Sequence, residues 1–111
     1  MPLYLYTAQY TSAALAAQVK EPANRAERTR IPVERLGGKL HGAWHAISDP
    51  IHFVAIIEMP SAEAAATLAV AFGAGGAATH HTWTPLLTPE QWVEAVRQAG
   101  DTGYRPATAT S

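Results

Sequence analysis

The chain has no cysteine, few charged residues and no long apolar run, and each absence excludes a class of protein. Without cysteine it can form no disulfide and can use no thiolate in catalysis. Eight basic and nine acidic residues are interspersed along 111 positions and give a net charge of −1, which offers no positive surface to nucleic acid or an anionic membrane. No apolar run approaches the roughly 20 residues that span a bilayer. The start of the chain lacks the features of a secretory signal, so a cytoplasmic location is expected.

Hydrophobic periodicity and turn residues predict one domain over residues 1–100 and a flexible tail over 101–111. The predicted strands cover 2–10, the two arms of a hairpin over 39–59, and 77–87, whereas the predicted helices cover 11–20, 21–36, 61–76 and 88–99. Pro22 suits the first turn of the second helix, and Pro32 predicts a kink or break inside it. Ser61 is a typical N-cap residue, and Thr88 with Gln91 has the spacing of a capping box.

The order β-α-β-β-α-β followed by a helix is that of the α+β, ferredoxin-like fold. In this topology the first and third strands pair at the centre of an antiparallel sheet, and the helices cover one face. The other face stays uncovered in a monomer, and an exposed apolar face favours self-association. We therefore expect a homodimer or larger homo-oligomer, a dimeric α+β barrel in which two sheets enclose a cavity.

The hairpin over 39–59 contains three of the five histidines. A turn centred on Asp49 and Pro50 places His45 opposite Val54, and directly opposite residues project to the same face. One face is then almost wholly apolar, includes Trp44 and Phe53, and is expected to pack under the helices. The other face is expected to line the cavity and holds Lys39, His41, Ala43, His45, Ile47, His52, Val54, Ile56 and Glu58.

His45 and His52 are the candidate catalytic residues. As diagonal neighbours they have Cα atoms roughly 7–8 Å apart, close enough to share a substrate or a water. Imidazole titrates near neutral pH, so the pair could move protons on a bound molecule. A metal site on His45 and His52 is a lesser alternative, because two histidines fall short of the usual three protein ligands.

Other residues are predicted to contact a substrate from the cavity wall. His41 lies four residues from His45, about 13 Å along a strand, and is too far away for the same first shell. His80 and His81 are adjacent, so only one of them can face the cavity, and the sequence does not show which. The full set of candidate substrate-binding residues is Tyr4, Tyr6, His41, Val54, Ile56, His80, His81 and Trp83.

Three segments carry a resemblance to a known family: "ERLGGKL", "AISDPIHFVAIIEMPSAEAAATLAVAFGAGG" and "LTPEQW". Over nearly the whole chain up to about residue 99, the sequence resembles the GYD domain family, which implies an oligomeric, ferredoxin-like barrel with a cavity and no particular reaction. The Gly-x-Tyr-Asp signature falls on Asp49, Pro50, Ile51 and His52, so His52 stands at the Asp position. His45 stands at an aromatic position of the preceding strand. This departure favours a site specific to this protein.

These observations together predict a cofactor-independent enzyme of the isomerase, cyclase or monooxygenase type. Its cavity histidines would transfer protons on a small apolar organic substrate, without a cofactor. The alternative is a non-catalytic protein of the same fold whose cavity binds a small molecule, a metal or a haem. A third hypothesis is a structural module that uses the uncovered face of the sheet for assembly alone.

Overall fold

The computed structural model describes residues 1–107 and has at its centre a four-stranded antiparallel sheet with strand order β2-β3-β1-β4. The strands are β1 (Leu3–Tyr10), β2 (Lys39–Ala46), β3 (His52–Glu58) and β4 (Ala78–Leu86), and the helices are α1 (Ser12–Lys20), α2 (Arg25–Arg35), α3 (Ala62–Gly75) and α4 (Pro89–Ala99). The element order and the central pairing of β1 with β3 confirm the predicted α+β, ferredoxin-like fold. Of the predicted tail, 108–111 lie outside the described residues.

Helix α2 differs from its prediction at both proline positions. It begins at Arg25, where the Asn24 side chain caps the first turn, so Pro22 lies before the helix and not inside it. The predicted break at Pro32 is wrong, since α2 continues through this residue to Arg35. Pro32 lies in the last turn, which the fully buried Val33 anchors to the core, and tertiary packing of this kind offsets the one hydrogen bond that proline removes.

The core lies between one face of the sheet and the helices, which we call the helix side. Alternate residues of β1 and β3 point to it, because successive side chains of a strand alternate between faces. Val33 of α2 and Leu68 of α3 pack against this layer and are fully buried. The strand residues of the core are Tyr4, Tyr6, Ala8, Tyr10, Phe53, Ala55 and Ile57.

The opposite face, which we call the outer face, is covered by no element of the described chain. Its residues on the two central strands are only partly buried and include Leu3, Leu5, Val54 and Ile56. The predicted arrangement of helices on one face is therefore confirmed, as is the predicted face of every β3 residue.

The β2–β3 register differs from the predicted one. Ala46 pairs with His52, so the connection is the odd-numbered loop Ile47–Ile51, which reverses the faces of the adjoining part of β2. His45 consequently lies opposite Phe53 on the helix side. Trp44 lies on the outer face and is 59% exposed, so its predicted place under the helices is wrong.

An irregularity at His41 reverses the faces a second time, so the residues at the far end of β2 lie on their predicted faces. The register shifts between Leu40 and Gly42, as expected for a β-bulge that inserts one residue. Leu40 therefore reaches the core, as predicted. On the outer face the Trp44 ring lies over Gly42, where an added Cβ would come within 2.7 Å of the indole.

Helix α4 begins with the predicted capping box and then leaves the body of the domain. The Thr88 hydroxyl accepts a hydrogen bond from the Gln91 backbone, and the Gln91 side chain accepts one from the Thr88 backbone. Every residue of α4 is exposed, and the longest dimension of the molecule is 64 Å. Within residues 1–107, no helix combines the length and apolar character needed to cross a membrane.

Candidate functional site

A pocket of about 210 Å³ opens between the helix side of the sheet and helices α2 and α3. Ala8 and Phe53, which pair across β1 and β3, contribute small and flat side chains to the sheet wall. Tyr6 and Tyr10 flank Ala8 on the same face, so the small alanine leaves the space between two aromatic rings. The other residues that line the pocket are Arg25, Arg28, Thr29, Ala71, Phe72, Gly75, Ala77, Ala78 and His81.

A chain of two hydrogen bonds runs along one wall of this pocket. The Tyr6 hydroxyl lies 2.6 Å from Nδ1 of His81, and Nε2 of His81 lies 3.1 Å from the carbonyl oxygen of Ala78. A carbonyl oxygen can only accept, so Nε2 carries a proton and donates it. In a neutral imidazole Nδ1 is then the acceptor, and the Tyr6 hydroxyl donates to it. The phenol oxygen keeps its lone pairs available.

Alternation from Trp83, which pairs with Tyr6, places His81 on the helix side, and a bulge follows at His80. The register between β1 and β4 shifts between Thr7 and Gln9, so His80 and His81 together lie opposite Ala8. His80 has a φ of 52°, in the left-handed region that few non-glycine residues adopt, and its side chain is exposed. His81 and not His80 therefore reaches the helix side, a point that the sequence left open.

Burial controls the ionisation of the two pocket tyrosines. Desolvation raises the pKa of Tyr6, with a smaller contribution from Tyr10, and so keeps its phenol protonated. Desolvation also raises the pKa of Tyr10, although the charge and hydrogen bond of the neighbouring Arg25 oppose this effect. The Tyr10 hydroxyl lies 3.4 Å from Nδ1 of His45, whose ring stacks on the Tyr10 ring.

Positive charge enters the pocket from the first turn of α2. Arg25 and Arg28 are three residues apart, so their side chains leave the same side of the helix, and both line the pocket. Within residues 1–107 neither guanidinium is part of a salt bridge. The pocket therefore combines an apolar floor, a polarised phenol and two cationic groups at one end.

The predicted pairing of His45 with His52 is wrong. His45 lies on the helix side opposite Phe53, whereas His52 lies opposite Ala46 on the outer face, where its Nδ1 is 3.2 Å from the Ser48 hydroxyl. The two imidazoles are separated by the sheet and cannot share a substrate or a metal. Among the residues that the structure describes, no group of three His, Asp or Glu side chains is placed to hold a metal ion.

The predicted substrate-binding residues are divided between the two faces. Val54 and Ile56 lie on the outer face, and His41 is exposed and hydrogen-bonds Glu58 at 2.9 Å. Tyr4 and Trp83 lie on the helix side in edge-to-face contact, with Nε1 of Trp83 buried and unpartnered among the described residues. From the predicted set, only Tyr6 and His81 line the pocket.

The sequence reasoning missed Tyr10 and the two arginines of the pocket. The alternation of β1 could have identified Tyr10, because Tyr4, Tyr6 and Tyr10 share one face and only Ala8 interrupts the aromatic series. Arg25 and Arg28 had a weaker signal in their three-residue spacing, since the sequence does not show how α2 is rotated against the sheet.

The fold and the site together define a small ferredoxin-like α+β protein with a pocket of about 210 Å³ under its helices. The model of the GYD domain family matches residues 4–96, and the chain belongs to this family. Searches of curated proteins and of solved structures found no match.

Proposed function

We propose that the protein binds a small organic molecule in the helix-side pocket and transfers a proton to or from it without a cofactor. The observation that carries this proposal is the hydrogen-bond chain from Tyr6 through His81 to Ala78 in the pocket wall. A volume of about 210 Å³ is below the roughly 300–1,000 Å³ of pockets that hold drug-sized ligands, so the substrate is small. The aromatic floor favours an apolar body.

The proton path follows from the tautomer of His81. A substrate hydroxyl or enol donates a hydrogen bond to the free lone pair of Tyr6. As the substrate O–H bond breaks, its proton forms a new O–H bond on Tyr6, and the original phenol proton moves to Nδ1 of His81. The product pair is a substrate oxyanion and an imidazolium, whose Nε2–H still donates to the Ala78 carbonyl. Tyr6 never becomes a free phenolate, which agrees with its raised pKa.

Deuterium exchange at the central carbon of acetylacetone in heavy water tests this chemistry. Its enol loses the O–H proton along this path, and the enolate then takes a deuteron from solvent at carbon. We expect the wild-type protein to accelerate exchange and His81→Asn to lose about 10²–10⁴-fold of that acceleration, the usual contribution of a general base. His80→Asn is the matched control, since it removes the adjacent exposed histidine at a positive φ that asparagine tolerates. Equal rates for the wild type and His81→Asn would contradict the catalytic proposal.

A non-catalytic binding protein is the second candidate function. It is favoured by the satisfied hydrogen bonds of both His81 nitrogens, a state that a structural histidine also adopts. Acetylacetone that shifts the backbone amide resonances of Ala8 and Ala78 without any faster exchange would support this candidate.

The proposed functional unit is a homodimer that packs through the outer faces of two sheets. The support for this arrangement is the apolar character of that face, where Leu5, Val54 and Ile56 are partly buried and Trp44 is exposed without any covering element. Exposed apolar patches on sheets commonly mark such interfaces.

A further inference from the structure

A second cavity adjoins the helix-side pocket in the cleft between α1 and α2. It has a volume of about 150 Å³, and it shares Arg25, Arg28 and Ala77 with the first pocket. The residues that belong to this cleft alone are Ala14, Ala17, Gln18, Glu21 and Ala23. The two cavities share the pair of arginines, so both open onto the same two guanidinium groups.

The cleft contains a polar group without a partner. Nε2 of Gln18 is buried and makes no hydrogen bond within the described chain. A buried donor without an acceptor is destabilising, and most such groups in native proteins are paired with another group or with water. An amide N–H₂ can only donate, so the missing partner is an acceptor.

The charges around the cleft indicate that the missing partner of Gln18 is negatively charged. Arg25 and Arg28 have no salt-bridge partner within residues 1–107. Glu21 also lines the cleft but is exposed, and one carboxylate against two guanidiniums leaves an excess of one positive charge. Guanidinium groups recognise carboxylates and phosphates through paired, charge-assisted hydrogen bonds.

The geometry points to a subsite for an anionic group, a carboxylate or a phosphate, formed by Gln18, Arg25 and Arg28. The inference rests on the proposed binding function and specifies its substrate class as a small organic anion. The anionic end lies at the two arginines, and the apolar body extends over Ala8 towards Tyr6. Tyr6 and Tyr10 are four residues apart on β1, so their Cα atoms are about 13 Å apart along the strand. At the far end Tyr6 accepts a hydrogen bond, so the ligand also has a hydroxyl or enol.

Three probes with one body and different end groups test this subsite. They are para-hydroxyphenylacetate, its neutral carboxamide, and para-hydroxybenzylphosphonate. Each is titrated against the whole 111-residue chain. Calorimetry measures the affinity, and the NMR shifts of the backbone amides of Ala8 and Ala77 report where the probe binds. We expect at least one anion to bind roughly tenfold to hundredfold more tightly than the carboxamide, as charge-assisted hydrogen bonds provide. The ratio between the two anions identifies which acid the subsite takes.

Substitutions in the subsite should remove this preference without removing binding. Arg25→Gln and Gln18→Met are expected to lower anion affinity about tenfold and to leave carboxamide affinity unchanged. Gln18→Met should also leave the melting temperature unchanged or raise it, because it removes an unpartnered buried amide. Arg30→Gln is the matched control, since Arg30 is on the same helix, pairs with Glu27 and lines neither cavity.

Each other outcome has a definite meaning. Equal affinity for the anions and the carboxamide, with amide shifts in the pocket, would overturn the anionic subsite and leave the proposed binding function standing. A preference that Arg25→Gln and Arg30→Gln reduce equally would overturn it as well, because it would reflect only the overall charge. Binding of none of the probes, together with no shift by acetylacetone, would overturn both the subsite and the proposed function.

Discussion

Tyr6 of β1 and His81 of β4 are joined by a hydrogen bond of 2.6 Å on the helix side of the sheet. The two rings also lie close, with centroids 5.9 Å apart. The contact links a buried phenol to an imidazole on the same face of the sheet. It also places the polar part of the candidate site under the helices, where each chain forms its own pocket, and not on the outer face, where two sheets would have to meet.

Removing the Tyr6 hydroxyl tests the energetic value of this contact. Tyr6→Phe keeps the ring but leaves Nδ1 of His81 with no donor, so we expect a loss of about 1–3 kcal/mol in the free energy of unfolding. Urea denaturation at neutral pH measures it. Tyr104→Phe is the control, since this tyrosine is 80% exposed, and an equal loss in both variants would contradict the prediction.

The same substitution should change the stability at alkaline pH. Burial raises the pKa of Tyr6 in the folded protein, whereas in the unfolded chain its phenol ionises near the ordinary value of 10.0. Ionisation therefore favours the unfolded state, and stability falls as the pH rises above about 10. We expect Tyr6→Phe to lose less stability than the wild type between about pH 9 and 11. Urea denaturation at a series of pH values in this range measures the difference. Parallel curves would show that Tyr6 does not contribute.

We expect Glu58 to make the stability of the folded protein depend on pH in the acid range. The hydrogen bond from His41 is the main cause that lowers the pKa of Glu58 below its ordinary value of 4.5. A lowered pKa means that the carboxylate stabilises the folded state at neutral pH and that this contribution is lost as the pH falls through the lowered pKa. Because the pair is exposed, the effect is small and sensitive to salt. Melting temperatures of wild type and Glu58→Gln should converge at acid pH, and a constant difference would contradict the assignment.

The faces of the β3 residues could be predicted from the sequence because alternation fixes them directly. Tyr4 and Tyr6 were expected on the cavity wall but lie in the core, because alternation separates the two faces of β1 without showing which face the helices cover. The same reasoning failed for His45 and Trp44, because the pattern of β2 does not show that the Ile47–Ile51 loop has five residues. It also does not show the irregularity at His41, which reverses the faces of the β2 residues again. Two opposite shifts of one residue leave both ends of the hairpin looking regular. The arginines of the pocket depend on the rotation of α2, which is set by packing and not by local sequence.

Close packing at Gly38 predicts intolerance of any side chain there. An added Cβ would lie 2.5 Å from the Glu58 carbonyl oxygen and 2.7 Å from Sδ of Met59, and Met59 is fully buried. We expect Gly38→Ala to lower the free energy of unfolding by about 1–3 kcal/mol, as overpacking usually does.

The matched control is Gly73→Ala in α3, where a Cβ would meet nothing within 4 Å. Alanine is a better helix former than glycine by about 1 kcal/mol, so this variant should be more stable than the wild type. Thermal denaturation of the two variants gives opposite signs if the close approach at Gly38 is responsible. A loss of stability in both would indicate a general sensitivity to substitution.

The proposed dimer predicts that a charge on the outer face prevents assembly. Ile56 lies on that face in the central strand β3, and Ile56→Glu would bury a carboxylate between two sheets, at a cost of several kcal/mol. Light scattering coupled to size exclusion should then report a dimer for the wild type and a monomer for the variant. Ile47→Glu makes the same chemical change in the hairpin loop, where the side chain is 96% exposed, and should remain dimeric. A monomeric wild-type protein, or an Ile56→Glu variant that stays dimeric, would show that the outer face is not the interface.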